Sequence, residues 1–455
     1  MGNNKERVNF GSKINAILVA AGSAVGLGNI WRFPYETGSH GGAAFIFVYL
    51  ICILVMGLPI MLAEFSIGRS ARSNIVGAFK NLAPNSAWKY VGYIGITAAF
   101  FIFSFYCVVA GWTLEYCWQA VTNGFSGMTP ADYSSSFTSF SSDSFRPLLW
   151  MSIFMLGTHL VVVMGIKKGI ERSARILMPW LFILIVLLAI CSVSLPGSEK
   201  GLDFLLKPDF SKITPDVMLG AMGQAFFSLS LGLGCLSTYA SYFNKETNLT
   251  RTAFSVAGID TFVSIMSGII IFPAAFSVGI SPDAGPSLLF ITLPNVFQTA
   301  FGSFPVVAYV ITLFFYILLV LAALTSTISM HEIVTSFASE EWKMSRPKAA
   351  TIITIGSFVL GTLASLSFGP LADVKLFGLT IFDFLDSITS KVMLPLGGML
   401  IAIFVGWKLD QRISREQLSN NGSLRIPLFR FYIFLLRYVA PVAILFIFLK
   451  ELNII

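Results

Sequence analysis

Eleven stretches of this chain are long and apolar enough to cross a lipid bilayer. They cover about residues 14–36, 42–68, 91–121, 149–166, 174–195, 217–242, 252–280, 305–337, 350–370, 381–407 and 430–450, and are numbered segments 1 to 11. About 20 residues of helix cross roughly 30 Å of hydrocarbon. Inside lipid, every backbone N–H and C=O must find a partner within the protein, which leaves helices or a closed barrel. Runs of this length without alternation select helices. Of the 455 residues 55% are hydrophobic and 12% charged, against roughly 25% charged in soluble domains. The expected architecture is an all-α polytopic membrane protein, with residues 1–455 forming a single membrane domain.

The net charge of +7 does not signal nucleic acid. The basic residues sit in short loops between apolar runs and form no basic face. With the N-terminus inside, 21 Lys and Arg fall on the cytoplasmic side and 6 outside. That asymmetry predicts a cytoplasmic N-terminus and, after eleven spans, an extracellular C-terminus in the plasma membrane. The first apolar run ends in a Gly-rich stretch without a small-residue cleavage site, so no cleavable signal peptide is expected. Cys52, Cys107, Cys117, Cys191 and Cys235 lie in or beside apolar runs and read as free, packed thiols. An enzyme would need a nucleophile with its base, or a metal cluster. Neither is visible, and His40, His159 and His331 are scattered.

Two of the runs are interrupted. Segment 1 contains Gly22, Gly26, Gly28 and Asn29, and segment 6 contains Ser228, Ser230, Gly232 and Gly234. Each Gly costs about 1 kcal/mol of helix stability relative to Ala. One such run is compatible with close packing through small residues. Two runs five segments apart point to an inverted repeat, because an odd offset turns the second copy upside down in the membrane. Residues 14–195 then form the first five-helix repeat, 217–407 the inverted second, and 430–450 an extra helix. Substrate is expected at the repeat interface near the midplane. Freed N–H groups suit a carboxylate, while freed carbonyls with nearby hydroxyls suit Na⁺. Thr325, Ser326 and Thr327 supply a further hydroxyl cluster in segment 8.

The stretch from Gly22 to Tyr35 resembles the first-helix signature of the neurotransmitter:sodium symporter family. Gly57-Leu58-Pro59 with Glu64 and Gly68-Arg69 resembles its second helix, and Gln224 to Tyr242 its sixth. The likeness runs from about Arg7 to Trp407. The family usually has twelve spans, and a chain of eleven resembles its bacterial amino-acid transporter branch. The resemblance implies two sodium sites. The first would use Ala24, Asn29, Ser228 and Asp260 with the substrate carboxylate. The second would use Gly22, Val25, Ala322, Thr325 and Ser326. It places substrate beside Ala24, Gly26, Gly28, Ile102, Tyr106, Phe227, Ser230, Leu233 and Met330. Tyr106 would hydrogen-bond the carboxylate and Phe227 would close over it.

Gly26 stands where monoamine transporters of the family carry Asp. That implies a substrate bringing its own carboxylate, an intact amino acid. Leu233 and Met330 make the side-chain pocket apolar, so a neutral hydrophobic amino acid is expected. Tyr49, Gln224, Ser228 and Ser264 match the family's chloride ligands, yet Asp260 already supplies a negative charge beside the first sodium. Chloride is therefore not expected to be required. By the same resemblance Arg32 and Asp383 form an outer gate pair. Arg7 and Glu340, with Phe10 and Tyr242 nearby, form the inner lock. Glu64 is expected to bind backbone groups around a broken helix, and Gly169 with Pro179 to allow local unwinding of segment 5. Lys391 has no assigned role. The function expected is sodium-coupled symport of a neutral hydrophobic amino acid into the cell. A non-transporting amino-acid sensor on the same fold is the alternative, and the oligomeric state is open.

Overall fold

The computed structural model describes residues 8–279 and 288–451. Among the described residues, nine helices are long and apolar enough to span a membrane. They include Ala43–Ala71, Lys89–Val121, Ile166–Val193, Leu249–Ser277, Pro305–Glu341 and Ile381–Lys408. A tenth span is the pair Lys13–Ala24 and Gly28–Ser39, bent by 58° at the break between them. The eleventh expected run, segment 6, is two shorter helices, Pro215–Ser228 and Cys235–Ala240. Apolar length alone undercounts it because the break divides it into pieces too short to qualify.

Segments 3 and 8 pack along one another at the centre, and segment 1 lies against segments 7 and 8. The break in segment 1 is narrower than its glycines suggest. The helix stays intact through Gly22 to Ala24, and Val25 turns to an extended conformation, φ −69° and ψ 116°. Gly22 lies on a packed face of that helix, where an added Cβ would meet Thr325 Cβ at an ordinary 3.5 Å. In segment 6 the interruption is forced by backbone geometry. Ser230, Gly232 and Gly234 all have positive φ, at 52°, 87° and 72°, a region that side chains other than Gly rarely adopt.

Glu64, fully buried in segment 2, repairs this second break. Its carboxylate accepts the backbone N–H of Gly232 at 2.8 Å and of Ser237 at 3.3 Å. Ser237 Oγ donates to the Glu64 carbonyl at 3.0 Å. Donors stranded by the break thereby find an acceptor, without which each would cost several kcal/mol in hydrocarbon. Segment 5 opens on a left-handed Gly165, φ 85°, followed by a wide π-helical turn over Ile166–Glu171. Pro179 lies inside the regular helix that follows. Between segments 7 and 8 lies a short apolar helix, Leu288–Ala300.

Candidate substrate and sodium site

The two breaks face each other across one internal cavity. Ser230 Oγ donates to the Ser23 carbonyl at 3.1 Å, tying break to break. All nine residues expected beside substrate line this cavity: Ala24, Gly26, Gly28, Ile102, Tyr106, Phe227, Ser230, Leu233 and Met330. Leu27 N–H donates to the Tyr106 hydroxyl oxygen at 3.0 Å. That bond orients the phenol and leaves its own proton to donate into the cavity. A Cβ on Gly28 would lie 2.8 Å from the Phe227 ring, and one on Gly26 2.5 Å from Ser326 Oγ and 3.2 Å from Tyr106 Oη. Both glycines are thus places where side chains of the cavity press on bare backbone.

Two oxygen-rich clusters flank the cavity. In one, Thr325 and Ser326 hydroxyls donate to the Val25 carbonyl at 3.3 and 3.0 Å, and Thr325 also donates to the Ala322 carbonyl at 2.9 Å. Gly22 packs on Thr325 from the other side. The five residues expected at the second sodium site are therefore neighbours, and their carbonyls and hydroxyls are the donor set a small hard cation needs. In the other cluster, Asn29 Nδ2 donates to Asp260 Oδ1 at 2.7 Å, Ser264 Oγ at 2.9 Å and Ser228 Oγ at 3.1 Å. Ser228 Oγ and the Tyr49 hydroxyl donate to Asp260 Oδ2 at 2.7 and 3.3 Å. Asp260 is fully buried. Its carboxylate engages Tyr49 and Ser228, two of the hydroxyls a chloride would use. Gln224, one helical turn before Ser228, has no hydrogen-bond partner for its amide among the described residues.

A family model described as the sodium:neurotransmitter symporter family matches residues 7–133 and 140–455. The chain belongs to that family. An uncharacterized sodium-dependent transporter of Bacillus subtilis, YhdH, is 39% identical over 98% of each chain. The sodium-dependent neutral amino acid transporter B(0)AT2 of Bos taurus is 31% identical, over 58% of this chain and 40% of its own. The crystal structure of MhsT in complex with L-phenylalanine matches with a TM-score of 0.88 at 45% identity, covering 98% of this chain and all of that one. The chain is accordingly a multi-pass membrane protein of a sodium-dependent transporter family, with the family's inverted-repeat fold.

Not every expected contact of the symporter is made. Arg32 does not pair with Asp383. Its guanidinium lies 4.3 Å over the Phe227 ring and its Nε is 3.7 Å from Glu36. Asp383 is exposed and accepts from the Thr380 hydroxyl at 2.6 Å, capping the start of segment 10. Local i,i+4 and capping geometry satisfies both charges where they stand. Arg7 lies outside the described residues. Glu340 accepts from the Asn74 backbone and side chain at 2.8 and 3.0 Å.

Sequence reasoning missed a buried ion-pair cluster on the N-terminal face. The Tyr242 hydroxyl donates to Glu332 Oε1 at 2.9 Å, and the Glu332 carboxylate is bound by Arg346 through both its oxygens. Arg346 also holds the Val162 carbonyl at 2.9 Å. Phe10 stacks edge-on against Tyr242 and its N–H donates to the Tyr242 carbonyl. Glu171 accepts from Gly11 N–H at 3.0 Å, tying segment 5 to the start of segment 1. A signal was present: a carboxylate such as Glu332 inside an apolar run is a functional residue by default.

On the opposite face His40 joins segments 1 and 6. Its ring stacks on Phe45, with Nδ1 3.2 Å from Glu36 and Nε2 3.2 Å from Asp216. Asp216 in turn pairs with Lys450 of segment 11 at 2.5 Å. The Glu36 hydrogen bond, supported by the nearby carboxylate charges, raises the His40 pKa above its usual 6.5 against the opposing effect of burial. A raised folded-state pKa adds stability that is complete below about pH 6.5 and disappears as pH rises through the folded value. Melting temperature is thus expected to fall more steeply between about pH 6 and 8 in the wild type than in His40→Gln. Parallel profiles would remove this role.

Proposed function

We propose that the chain carries a neutral, apolar amino acid into the cell together with sodium by alternating access. The observation that carries the reading is the single cavity lined by both helix breaks, with an oxygen cluster on each flank and no fixed charge at Gly26. The first cluster, Ala24, Asn29, Ser228 and Asp260, would hold one sodium, completed by the substrate carboxylate. The second, Gly22, Val25, Ala322, Thr325 and Ser326, would hold another. The Tyr106 hydroxyl would donate to the same carboxylate, linking substrate to ion. Leu233 and Met330 offer the side chain an apolar, adaptable wall. L-phenylalanine bound to MhsT and the neutral amino acids named for B(0)AT2 support that class.

The reading places the N-terminal face in the cytoplasm, on the 21-to-6 Lys and Arg asymmetry. Phe227 with Arg32 above it would close the outer side. The Tyr242–Glu332–Arg346 cluster and the Glu171 contact would close the inner one. Chloride would not be needed, because Asp260 provides the compensating charge.

A thermal-shift screen of the twenty amino acids, with sodium or with choline in its place, tests the reading. Apolar amino acids in sodium are expected to stabilise the protein by about 2.7 kcal/mol at a hundred times Kd. Neither component alone should do so. Stabilisation independent of sodium would overturn the coupling. Counterflow in proteoliposomes then separates carriage from sensing.

A further inference from the structure

A second recess opens away from the transport cavity, at the N-terminal face. It encloses about 900 Å³ between the start of segment 1, the loop before segment 7 and the loop between segments 10 and 11. Lys13, Lys245 and Arg251 line it, against one carboxylate, Glu246. All three cations are exposed, and none is ion-paired with a described residue. The helices beginning at Lys13 and Leu249 both open on the recess, with Ser12 and Asn248 as their caps. Their N-terminal dipoles add to the positive potential.

The recess continues into an apolar groove of about 470 Å³ between segments 1 and 7. Ile14, Ile17 and Ser255 belong to both cavities, so they join end to end. Along the groove lie Leu18, Phe254, Ile259 and Phe262, with Gly258 on its floor. A Cβ at Gly258 would meet no atom within 4 Å. A recess edged by three cations at the end of a membrane helix, leading into an open apolar groove along that helix, matches one chemistry. It fits an anionic head joined to an acyl chain. The chain's own first residues, Met1 to Arg7, carry Lys5 and Arg7 against a single carboxylate, Glu6, and are net positive, so they do not complement three cations.

We propose that this composite cavity is a binding site for an anionic glycerophospholipid. The phosphate sits among Lys13, Lys245 and Arg251, and one acyl chain lies in the groove over Gly258. The site rests on the first half of segment 1, so an occupied site bridges that half-helix to segment 7. It stands apart from the substrate cavity, and its test does not depend on transport.

Native mass spectrometry of the full-length protein in neutral detergent gives the test, with phosphatidylglycerol and phosphatidylcholine of identical acyl chains as probes. Phosphatidylglycerol is expected to be retained preferentially. The variant Lys13→Gln/Lys245→Gln/Arg251→Gln should lose that preference, with affinity falling about a hundredfold, since each basic residue is worth about 1 kcal/mol at an anionic surface. Gly258→Leu fills the groove while leaving every charge in place, and should weaken retention of the diacyl lipid alone. Sodium-dependent amino-acid binding to both variants reports that they are folded. Equal retention of the two lipids by the wild type would overturn the proposal. So would unchanged retention by the triple variant or by Gly258→Leu. If inorganic phosphate competes as well as the lipid does, the site holds a free ion and the lipid assignment falls.

Discussion

Gly26→Ala is expected to lower sodium-dependent amino-acid binding by about five- to a hundredfold while leaving the protein folded. The added methyl would stand 2.5 Å from Ser326 Oγ and 3.2 Å from Tyr106 Oη. Overpacking of this kind costs about 1–3 kcal/mol, and each 1.4 kcal/mol is tenfold in affinity. The two groups it displaces belong to different tasks. Ser326 donates to the Val25 carbonyl in the proposed second sodium site, and Tyr106 faces the proposed carboxylate position. Apparent affinities for sodium and for amino acid should therefore fall together, and the cavity should shrink most for bulky side chains. Gly232→Ala is the contrasting control. Gly232 has φ 87°, and its added Cβ would run into the backbone carbonyl of Leu394. Nothing flexible can give way there, so this variant should lose melting temperature before it loses selectivity. If Gly26→Ala binds sodium and substrate normally, Gly26 does not border the site and the reading of that position fails.

These two glycines also show what could be read in the chain before its structure. Both breaks were visible, because glycines are conspicuous inside apolar runs. Their mechanics were not. In segment 6 positive φ at three positions makes the break a property of the backbone. In segment 1 the helix continues past Gly22, and the chain leaves it only at Val25, where the backbone turns extended. The nine pocket residues, carried over by resemblance, do line one cavity. The closures were harder to read. A charge is legible in sequence, but its partner is not. Tyr242, Glu332 and Arg346 come from three elements, and Arg346 looked like any loop cation until the fold brought it onto Glu332. Arg32 shows the converse. Its expected partner Asp383 is engaged by Thr380, while Glu36, one helical turn away, competes for the guanidinium. Contacts that change during transport depend on conformation, and sequence does not specify which conformation is seen.

Asp260→Asn should make amino-acid uptake depend on chloride. The wild-type carboxylate is fully buried and receives Asn29, Ser228 and Tyr49. Such a charge is tolerated at this depth only with compensation, and a sodium ion at the proposed first site would provide it. Removing one partner of a buried charge pair costs about 3–5 kcal/mol. Amino-acid uptake by the asparagine variant in gluconate should thus fall by about a hundredfold or more. The substitution keeps the side chain's size but removes its charge, leaving the Tyr49 and Ser228 hydroxyls free to turn toward another anion. Gln224 has amide capacity to spare. Chloride at these groups would restore the lost negative charge, so uptake by the variant should recover as chloride replaces gluconate. Wild-type uptake should be the same in both salts. Two outcomes would refute the assignment: collapse of wild-type uptake in gluconate, or a variant whose residual uptake ignores chloride. The first would mean that Asp260 does not substitute for the anion. The second would mean that no mobile anion can stand in for its charge.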